Sequence, residues 1–293
     1  MRKTLIAAVT TAAALSSAVP AAAVAPADAD MPAAAFAAPK HDGPLTVVGL
    51  SPNGKRLLEF KANKPGKAWE LGRIRGLWGD SRLVGIDFRV QDHKLYGVGN
   101  RGGIYTLNPR ATAQKVSQLT VDLEGRRFGV DFNPAADRLR VISNTGQNLR
   151  HNIDDPSAPE ATIEDGTLTN PTMPPSTARG VTGAAYTNND LDPATATTLF
   201  DIDTRNDRVS LQSPANAGTL AAVGALGVNV GPSAGFDIYY CPKKGTNSGF
   251  AALRVNGSYR FYKVNVLTGE AHKVGAFPER HQIADVALPL NQH

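Results

Sequence analysis

A short motif recurs four times along the chain, and its spacing limits what the chain can fold into. Each copy begins with glycine and continues with residues suited to a β-strand: GIDF at 85–88, GVDF at 129–132, GAAY at 183–186 and GFDI at 235–238. The copies begin 44, 54 and 52 residues apart. Each precedes two apolar runs joined by Gly, Asn or Asp, the residues that tight hairpin turns need. A repeat of about 40 to 50 residues with four short strands is typical of a β-propeller blade.

The two ends of this repeat complete each other. The first hairpin, at 45–60, has no short strand before it, and the last segment, IADVALPL at 283–290, has no hairpin after it. Pairing of the C-terminal strand with the N-terminal hairpin would close the ring and leave no open strand edge there. The sequence therefore predicts an all-β propeller of five four-stranded blades. The proline-rich stretch 154–179 is interpreted as a loop plus an outer strand, and a degenerate sixth blade is the alternative.

The first 29 residues have the features of a secretory signal peptide. Arg2 and Lys3 precede an apolar run at 5–15 and then small residues, so cleavage is expected after Ala23 or Ala29. The apolar run is too short to cross a bilayer, and no later segment reaches the roughly 18 apolar residues of a membrane helix. We expect a secreted, extracellular protein in which 30–43 is a disordered Ala/Pro-rich lead and 44–293 is a single propeller domain.

The charge of the chain limits its expected partners, and its cysteine content limits how the domain is stabilised. The formal net charge is +5, with basic and acidic residues interspersed, so nucleic-acid binding is not expected. Cys241 is the only cysteine, so an internal disulfide is excluded and an ordinary core must stabilise the domain. We expect a monomer whose partner is an extracellular small molecule, a glycan or a protein.

Five motifs follow one another in the order GVDFNPAADRLRV, GQNLR, DGTL, GAAYTN and AGFDI. In this order they resemble a family of secreted bacterial proteins catalogued as domain of unknown function 4394, and the resemblance covers most of the chain after the signal peptide. It implies a propeller-like all-β fold and a location outside the cytoplasm. The family supplies no established activity or catalytic residues, so the resemblance implies no chemistry.

Two short matches to enzyme signatures lack the structural context that those signatures need. GVGNRG at 97–102 fits a dinucleotide-binding pattern, but a strand-like segment follows it where a helix is required. GPSAG at 231–235 fits a nucleophile elbow around Ser233, but it leads into a strand instead of a helix. No catalytic residue is predicted.

Aspartates recur at one position of the short strands. Asp87, Asp131, Asp237 and Asp285 align in GIDF, GVDF, GFDI and IADV, and Ala185 interrupts the pattern. Equivalent positions of the innermost strands surround the channel of a propeller, where four carboxylates repel one another unless they are compensated. Hard oxygen ligands so arranged suit Ca²⁺, which makes a metal site one interpretation. The other, which we favour, is that each carboxylate accepts hydrogen bonds from backbone N–H groups of its own or the next blade.

A second polar group follows from the stretch 129–150. Asn133 is placed in an Asx-turn, and Arg140, Asn148 and Arg150 are expected to share a face of two paired strands. The two arginines can pair with aspartates of the next blade, or they can bind a carboxylate or phosphate from outside. Pairing between blades is favoured because repeat units must bury complementary faces.

The pattern as a whole favours a binding or scaffold protein at or outside the cell surface. No nucleophile with its base, no closely spaced His/Glu metal motif and no nucleotide loop in context occurs in the sequence. The competing hypothesis is a metal-assisted propeller enzyme, a hydrolase or lactonase in which the aspartates hold Ca²⁺. Because propellers host both classes, the fold does not decide between them.

Overall fold

Five four-stranded antiparallel sheets make up the structure, a computed structural model that describes Phe36 and residues 43–292. Blade 1 contains β1 (Thr46–Leu50), β2 (Arg56–Lys61) and β3 (Trp69–Arg73), and blade 2 contains β4 (Leu83–Phe88), β5 (Leu95–Gly99), β6 (Gly103–Leu107) and β7 (Ala113–Gln118). Blade 3 contains β8 (Phe128–Asn133), β9 (Arg138–Ser143), β10 (Asn148–His151) and β11 (Thr162–Glu164). A two-stranded hairpin follows, β12 (Thr169–Asn170) and β13 (Ser176–Thr177).

Two further blades and a closing strand complete the ring. Blade 4 contains β14 (Val181–Tyr186), β15 (Leu199–Asp203), β16 (Arg208–Gln212) and β17 (Leu220–Ala225), and blade 5 contains β18 (Ala234–Cys241), β19 (Thr246–Val255), β20 (Ser258–Val264) and β21 (Ala271–Ala276). The last strand, β22 (Asp285–Ala287), belongs to blade 1. The helical elements of the described residues are three single 3₁₀ turns, Pro65–Lys67, Ala215–Ala217 and Glu279–His281.

Closure occurs as the sequence predicts. Strand β22 pairs antiparallel with β1, with Val286 opposite Gly49, and so becomes the innermost strand of blade 1. The other innermost strands are β4, β8, β14 and β18, the four copies of the repeated motif, and each contacts the next around the ring. The five-bladed prediction is confirmed. The stretch 154–179 supplies the outer strand β11 and the small β12–β13 hairpin instead of a sixth four-stranded blade.

Burial follows the position of a strand within its blade. The innermost strands are buried along nearly their whole length, because neighbouring blades cover both of their faces, whereas the outer strands alternate between buried and exposed residues. Apolar clusters fill the spaces between blades. Where the ring closes, Phe60 of β2 lies edge to face against Phe261 of β20, with ring centroids 4.8 Å apart. Hydrophobic burial between blades therefore stabilises the closure together with the β1–β22 pairing.

The N-terminal predictions fall mostly outside the described residues. The signal peptide at 1–29 and all of the lead at 30–43 except Phe36 and Gly43 lie there, and so does His293. Phe36 packs edge to face on Phe88 at the end of β4, with ring centroids 5.6 Å apart. Among the described residues, no helix has the length and apolar character needed to cross a membrane.

Candidate functional site

Three carboxylates from three different blades meet at the centre of the ring. Asp87 on β4, Asp131 on β8 and Asp237 on β18 are all buried, with at most 4% of their surface exposed. One carboxylate oxygen from each lies within 4.8 Å of the others. Oxygen atoms so close together could hold a metal ion.

The same carboxylates also connect neighbouring blades. Asp87 accepts a hydrogen bond at Oδ2 from the backbone N–H of Phe132 on β8, at 2.8 Å. Asp131 accepts one at Oδ1 from the N–H of Tyr186 on β14, at 3.3 Å. Each bond reaches the innermost strand of the next blade at the same relative position. Both sequence interpretations of the aspartates therefore have a geometric basis in the structure.

Blade 4, in which Ala185 replaces the aspartate, breaks the series of hydrogen bonds. By the pattern of the other blades, the residue at position 185 would accept from the N–H of Ile238 on β18. Instead Asp237 accepts that N–H with its own Oδ1, at 2.5 Å, while its Oδ2 accepts from the N–H of Leu288 at 2.6 Å. Both carboxylate oxygens of Asp237 thus accept hydrogen bonds. One of them accepts from the N–H of Ile238, which the methyl side chain of Ala185 cannot do.

Asp285 lies outside the group of three. Its Oδ2 accepts from the N–H of Ile86 at 2.9 Å, whereas the pattern of the other blades would use the N–H of Phe88, two residues further along β4. On β22 it is Leu288, the residue after Ala287, whose N–H binds Asp237. Ala287 therefore takes the position that the aspartates occupy in blades 2, 3 and 5. Asp285 sits two residues, about 7 Å, nearer to the end of the channel where the innermost strands begin.

Burial sets the protonation of these acids. Burial raises the pKa of Asp87 and Asp131 well above the usual range, and the neighbouring carboxylates raise it further. Burial also raises the pKa of Asp237 to about 7 and that of Asp285 to about 8. Without a cation, the aspartates of the channel are thus partly protonated at neutral pH. A bound cation would favour the fully ionised form.

We expect the metal-free protein to lose stability as the pH rises. Consider an acid whose pKa is higher in the folded protein than in the unfolded chain, where it is about 4. At a pH between these two pKa values, the folded state binds more protons than the unfolded state. The acid's stabilising contribution is complete below about pH 4 and is lost as the pH rises through the native values near 7 and 8. Denaturant unfolding in EDTA at pH 5 and pH 8 measures the loss. The Asp285→Asn variant cannot ionise at this position. Its free energy of unfolding should therefore fall less between pH 5 and pH 8 than that of the wild type, with a difference of more than about 1 kcal/mol. Equal losses in the two proteins would contradict the raised pKa of Asp285.

The residues of the second polar group lie between blades 3 and 4. Arg140, with 1% of its surface exposed, donates from Nη1 to Asn148 Oδ1 at 2.8 Å and to Asp165 Oδ2 at 2.7 Å. Its Nη2 donates to Asn216 Oδ1 at 2.8 Å, and its Nε donates to the Tyr186 hydroxyl at 3.2 Å. Tyr186 and Asn216 come from blade 4, so one guanidinium joins the two blades.

Arg150 and Asn133 occupy different surroundings. Arg150 donates to both carboxylate oxygens of Asp165 at 3.1 Å but remains partly exposed. Asp165 therefore binds two arginines. Asn133 lies at the end of β8, where its Oδ1 accepts from the N–H groups of Ala135 and Ala136 as in an Asx-turn. No hydrogen bond of the described residues joins Asn133 to the other three residues, but its side chain and that of Arg140 both hydrogen-bond to Tyr186.

Sequence reasoning missed two buried ionisable side chains. Arg89, directly after β4, donates to both carboxylate oxygens of Asp137 and to both of Asp154, which join blade 2 to blade 3. Asp201 on β15 is fully buried, and neither of its carboxylate oxygens has a hydrogen-bond partner among the described residues. Burial raises the pKa of Asp201 well above the usual range, and the charge of Arg140 opposes this shift. The partners of Arg89 lie 48 and 65 residues away in the chain, so no local sequence signal marks them.

The fold and this centre define a class: a five-bladed β-propeller with acidic side chains clustered on its axis. Residues 56–287 match the family described as Domain of unknown function (DUF4394), and the chain belongs to that family. The resemblance inferred from the motifs is therefore confirmed. The sequence matches no functionally curated protein.

Solved structures with a similar arrangement of strands are distant in sequence. The chain is similar to an auxiliary nutrient binding protein from Bacteroides ovatus, with 13% identity and a TM-score of 0.43 over 77% of this chain and 57% of that one. It is similar to Kuenenia stuttgartiensis hydrazine synthase, with 12% identity and a TM-score of 0.39 over 68% of this chain and 51% of that one. It also resembles a chain of the nidogen/laminin complex, with 9% identity and a TM-score of 0.45 over 86% and 100%. The chain spans little more than half the length of the first two.

Proposed function

We propose that the protein is an exported propeller that acts as a binding or scaffold protein at or outside the cell surface and holds Ca²⁺ in its central channel. The observation that supports the cation is the convergence of Asp87, Asp131 and Asp237, whose ligand atoms lie within 4.8 Å of one another. The N-terminal sequence, with its basic start, apolar run and small residues, supports export.

The donor set favours Ca²⁺ over other common cations. All three ligands are carboxylate oxygens, which suit hard cations, and the group includes no His or Cys that would favour a transition metal. Ca²⁺ accepts irregular coordination at 2.3 to 2.6 Å, roughly, whereas Mg²⁺ demands near-octahedral geometry at shorter distances. Carboxylates whose orientation is already fixed by hydrogen bonds to neighbouring blades fit the more tolerant ion better.

The depth of the site favours a stabilising role for the cation. Asp131 has 1% of its surface exposed and Asp237 has 2%, so a substrate has little access to an ion that they bind. A metal-assisted hydrolase or lactonase needs a coordination position open to the substrate. A cation that neutralises three buried carboxylates and joins blades 2, 3 and 5 fits a scaffold better than a catalyst.

Calcium should raise the stability of the wild-type protein. We expect about 2.7 kcal/mol at a Ca²⁺ concentration a hundredfold above Kd, because the ion binds the folded state alone. The measurement is thermal and denaturant unfolding in EDTA and then with excess Ca²⁺, with Mg²⁺ in parallel. Asp131→Asn should abolish the increase, since it removes one of the three charges.

The matched control is Asp285→Asn. It removes a partly buried carboxyl of the same channel but one outside the group of three, so the Ca²⁺ response should persist. If the wild type unfolds at the same midpoint with and without Ca²⁺, the aspartates act only as ties between blades and the cation proposal is wrong. If Asp285→Asn also loses the response, the assignment of the ligands is wrong.

A further inference from the structure

A cavity of about 310 Å³ opens at the end of the channel where the innermost strands begin. Its wall includes Leu83 at the start of β4, Phe128 at the start of β8, Ala234 at the start of β18 and Asp285 at the start of β22. Four of the five blades therefore contribute to this surface, which we call the channel mouth. A cavity of this size is at the lower end of the range typical of small-molecule sites, about 300 to 1,000 Å³.

The channel mouth is strongly basic. Arg82 comes from the segment before β4, Arg126 and Arg127 from the segment before β8, and Arg254 from β19. Among the described residues that form the wall of the cavity, Asp285 is the one acidic residue beside these four arginines. Because the arginines come from three blades, only the closed ring brings them to one place.

These arginines differ from those buried between the blades. Arg89 and Arg140 are each bound by carboxylates of the neighbouring blade. None of the four arginines of the channel mouth forms an ion pair with an acidic group of the described residues. Within the described part of the chain, their side-chain hydrogen bonds are one from Arg127 to the carbonyl oxygen of Arg126, at 3.2 Å, and one from Arg254 to that of Gly257, at 3.3 Å. Most of their guanidinium donors thus remain available to a ligand.

In blades 2 and 3, an asparagine side chain fixes the backbone of the segment that carries the arginines. Asn100, in the turn after β5, accepts at Oδ1 from the N–H of Arg82 at 3.1 Å and donates its own N–H to the carbonyl of Arg82 at 3.0 Å. Asn144, in the turn after β9, accepts at Oδ1 from the N–H groups of Arg126 and Arg127, at 2.8 and 3.0 Å, and donates to the carbonyl of Arg127 at 3.0 Å. The backbones of Arg82, Arg126 and Arg127 are therefore fixed, which lowers the entropic cost of gathering their side chains around a ligand.

We propose that the channel mouth binds a small ligand that carries carboxylate or phosphate groups. A guanidinium matches the planar oxygens of these groups with paired N–H donors, and such charge-assisted bonds are roughly twice as strong as neutral ones. Four unpaired guanidinium groups around one concave surface favour an anion over a neutral or cationic ligand. Neutral hydrogen-bonding groups in the wall, Ser233 and Gln282 among them, add orientation. The site does not depend on the proposed Ca²⁺, whose ligands lie deeper in the channel.

Citrate and inorganic phosphate are suitable probes, titrated into the purified protein at constant ionic strength with calorimetric detection. We expect saturable binding of citrate with one site per chain. The double variant Arg82→Gln/Arg127→Gln should raise the Kd at least about tenfold, because hydrogen bonds to charged groups contribute on that scale. Phosphate binding would extend the ligand class to phosphorylated compounds, and its absence would restrict the class to carboxylates.

Arg73→Gln is the control for general surface charge. Arg73 is exposed on β3 and outside the cavity wall, so Arg73→Gln removes one positive charge, as each substitution of the double variant does, and should leave the Kd unchanged. Cooperative unfolding of the double variant at the wild-type midpoint verifies that its fold is intact. The proposal is overturned if neither probe binds the wild type, if the double variant binds citrate as tightly as the wild type, or if Arg73→Gln weakens binding equally.

Discussion

Replacing Arg140 by methionine should lower the free energy of unfolding by about 3 to 5 kcal/mol, the cost of breaking a buried ion pair by removing one partner. Arg140 and Asp165 have 2% and 5% of their side chains exposed, so water cannot replace the lost contacts. The change also removes the donors that Asn148 and Asn216 accept from. It also removes the positive charge that favours the ionised form of Asp201, a buried carboxyl with no hydrogen-bond partner among the described residues.

Arg150→Met is the matched control, because Arg150 binds the same carboxylate from a partly exposed position. It should cost no more than about 1 kcal/mol, as exposed ion pairs do. Arg140→Lys should fall between the two: it retains the charge but cannot supply the planar set of donors that reaches four partners. Denaturant unfolding of the three variants measures these differences. If Arg140→Met and Arg150→Met cost the same, Arg140 does not join blades 3 and 4 in the way its contacts indicate.

The blade architecture could be predicted because each blade repeats one local pattern. A glycine-led strand and a hairpin recur at nearly constant spacing, and the hairpin turns use residues with a known backbone preference. The closure could also be predicted, since 45–60 and 283–290 each lacked a partner that the other supplied. Residues 154–179 were ambiguous because their short strands β11, β12 and β13 have two or three residues each, too few for a periodic signal.

The arrangement within the channel could be predicted only in part. Aligning IADV with the other motifs placed Asp285 level with Asp87, but β22 enters the ring from the other end of the chain, with a register that its own sequence does not reveal. The hydrogen bonds place it two residues away. The channel mouth left no signal at all, because its arginines come from two loops and from β19, far apart in the chain, and the sequence shows only interspersed charges.

Gly235→Ala should disrupt the closure of the ring. A Cβ atom built at Gly235 lies 2.3 Å from the Cα of Asp285 and 2.6 Å from the carbonyl oxygen of Ala284, so the obstacle is the backbone next to and within β22. A flexible side chain can move away from an added methyl group, whereas here β18 and β22 must separate. Because the innermost strands pack against each other as a core does, we expect a loss of about 3 kcal/mol, the upper part of the range for overpacking.

The control for this substitution is Gly72→Ala on the outer strand β3. A Cβ atom there has its nearest contact at 3.4 Å, an ordinary van der Waals distance, so its effect on stability should be within about 1 kcal/mol. Thermal unfolding compares the two variants. A midpoint for Gly235→Ala equal to that of the control would show that β22 can shift without cost. In that case the pairing of β22 with β1, and not its contact with β18, would hold the ring closed, and the positions of Asp87, Asp131 and Asp237 would depend on blades 2, 3 and 5 alone.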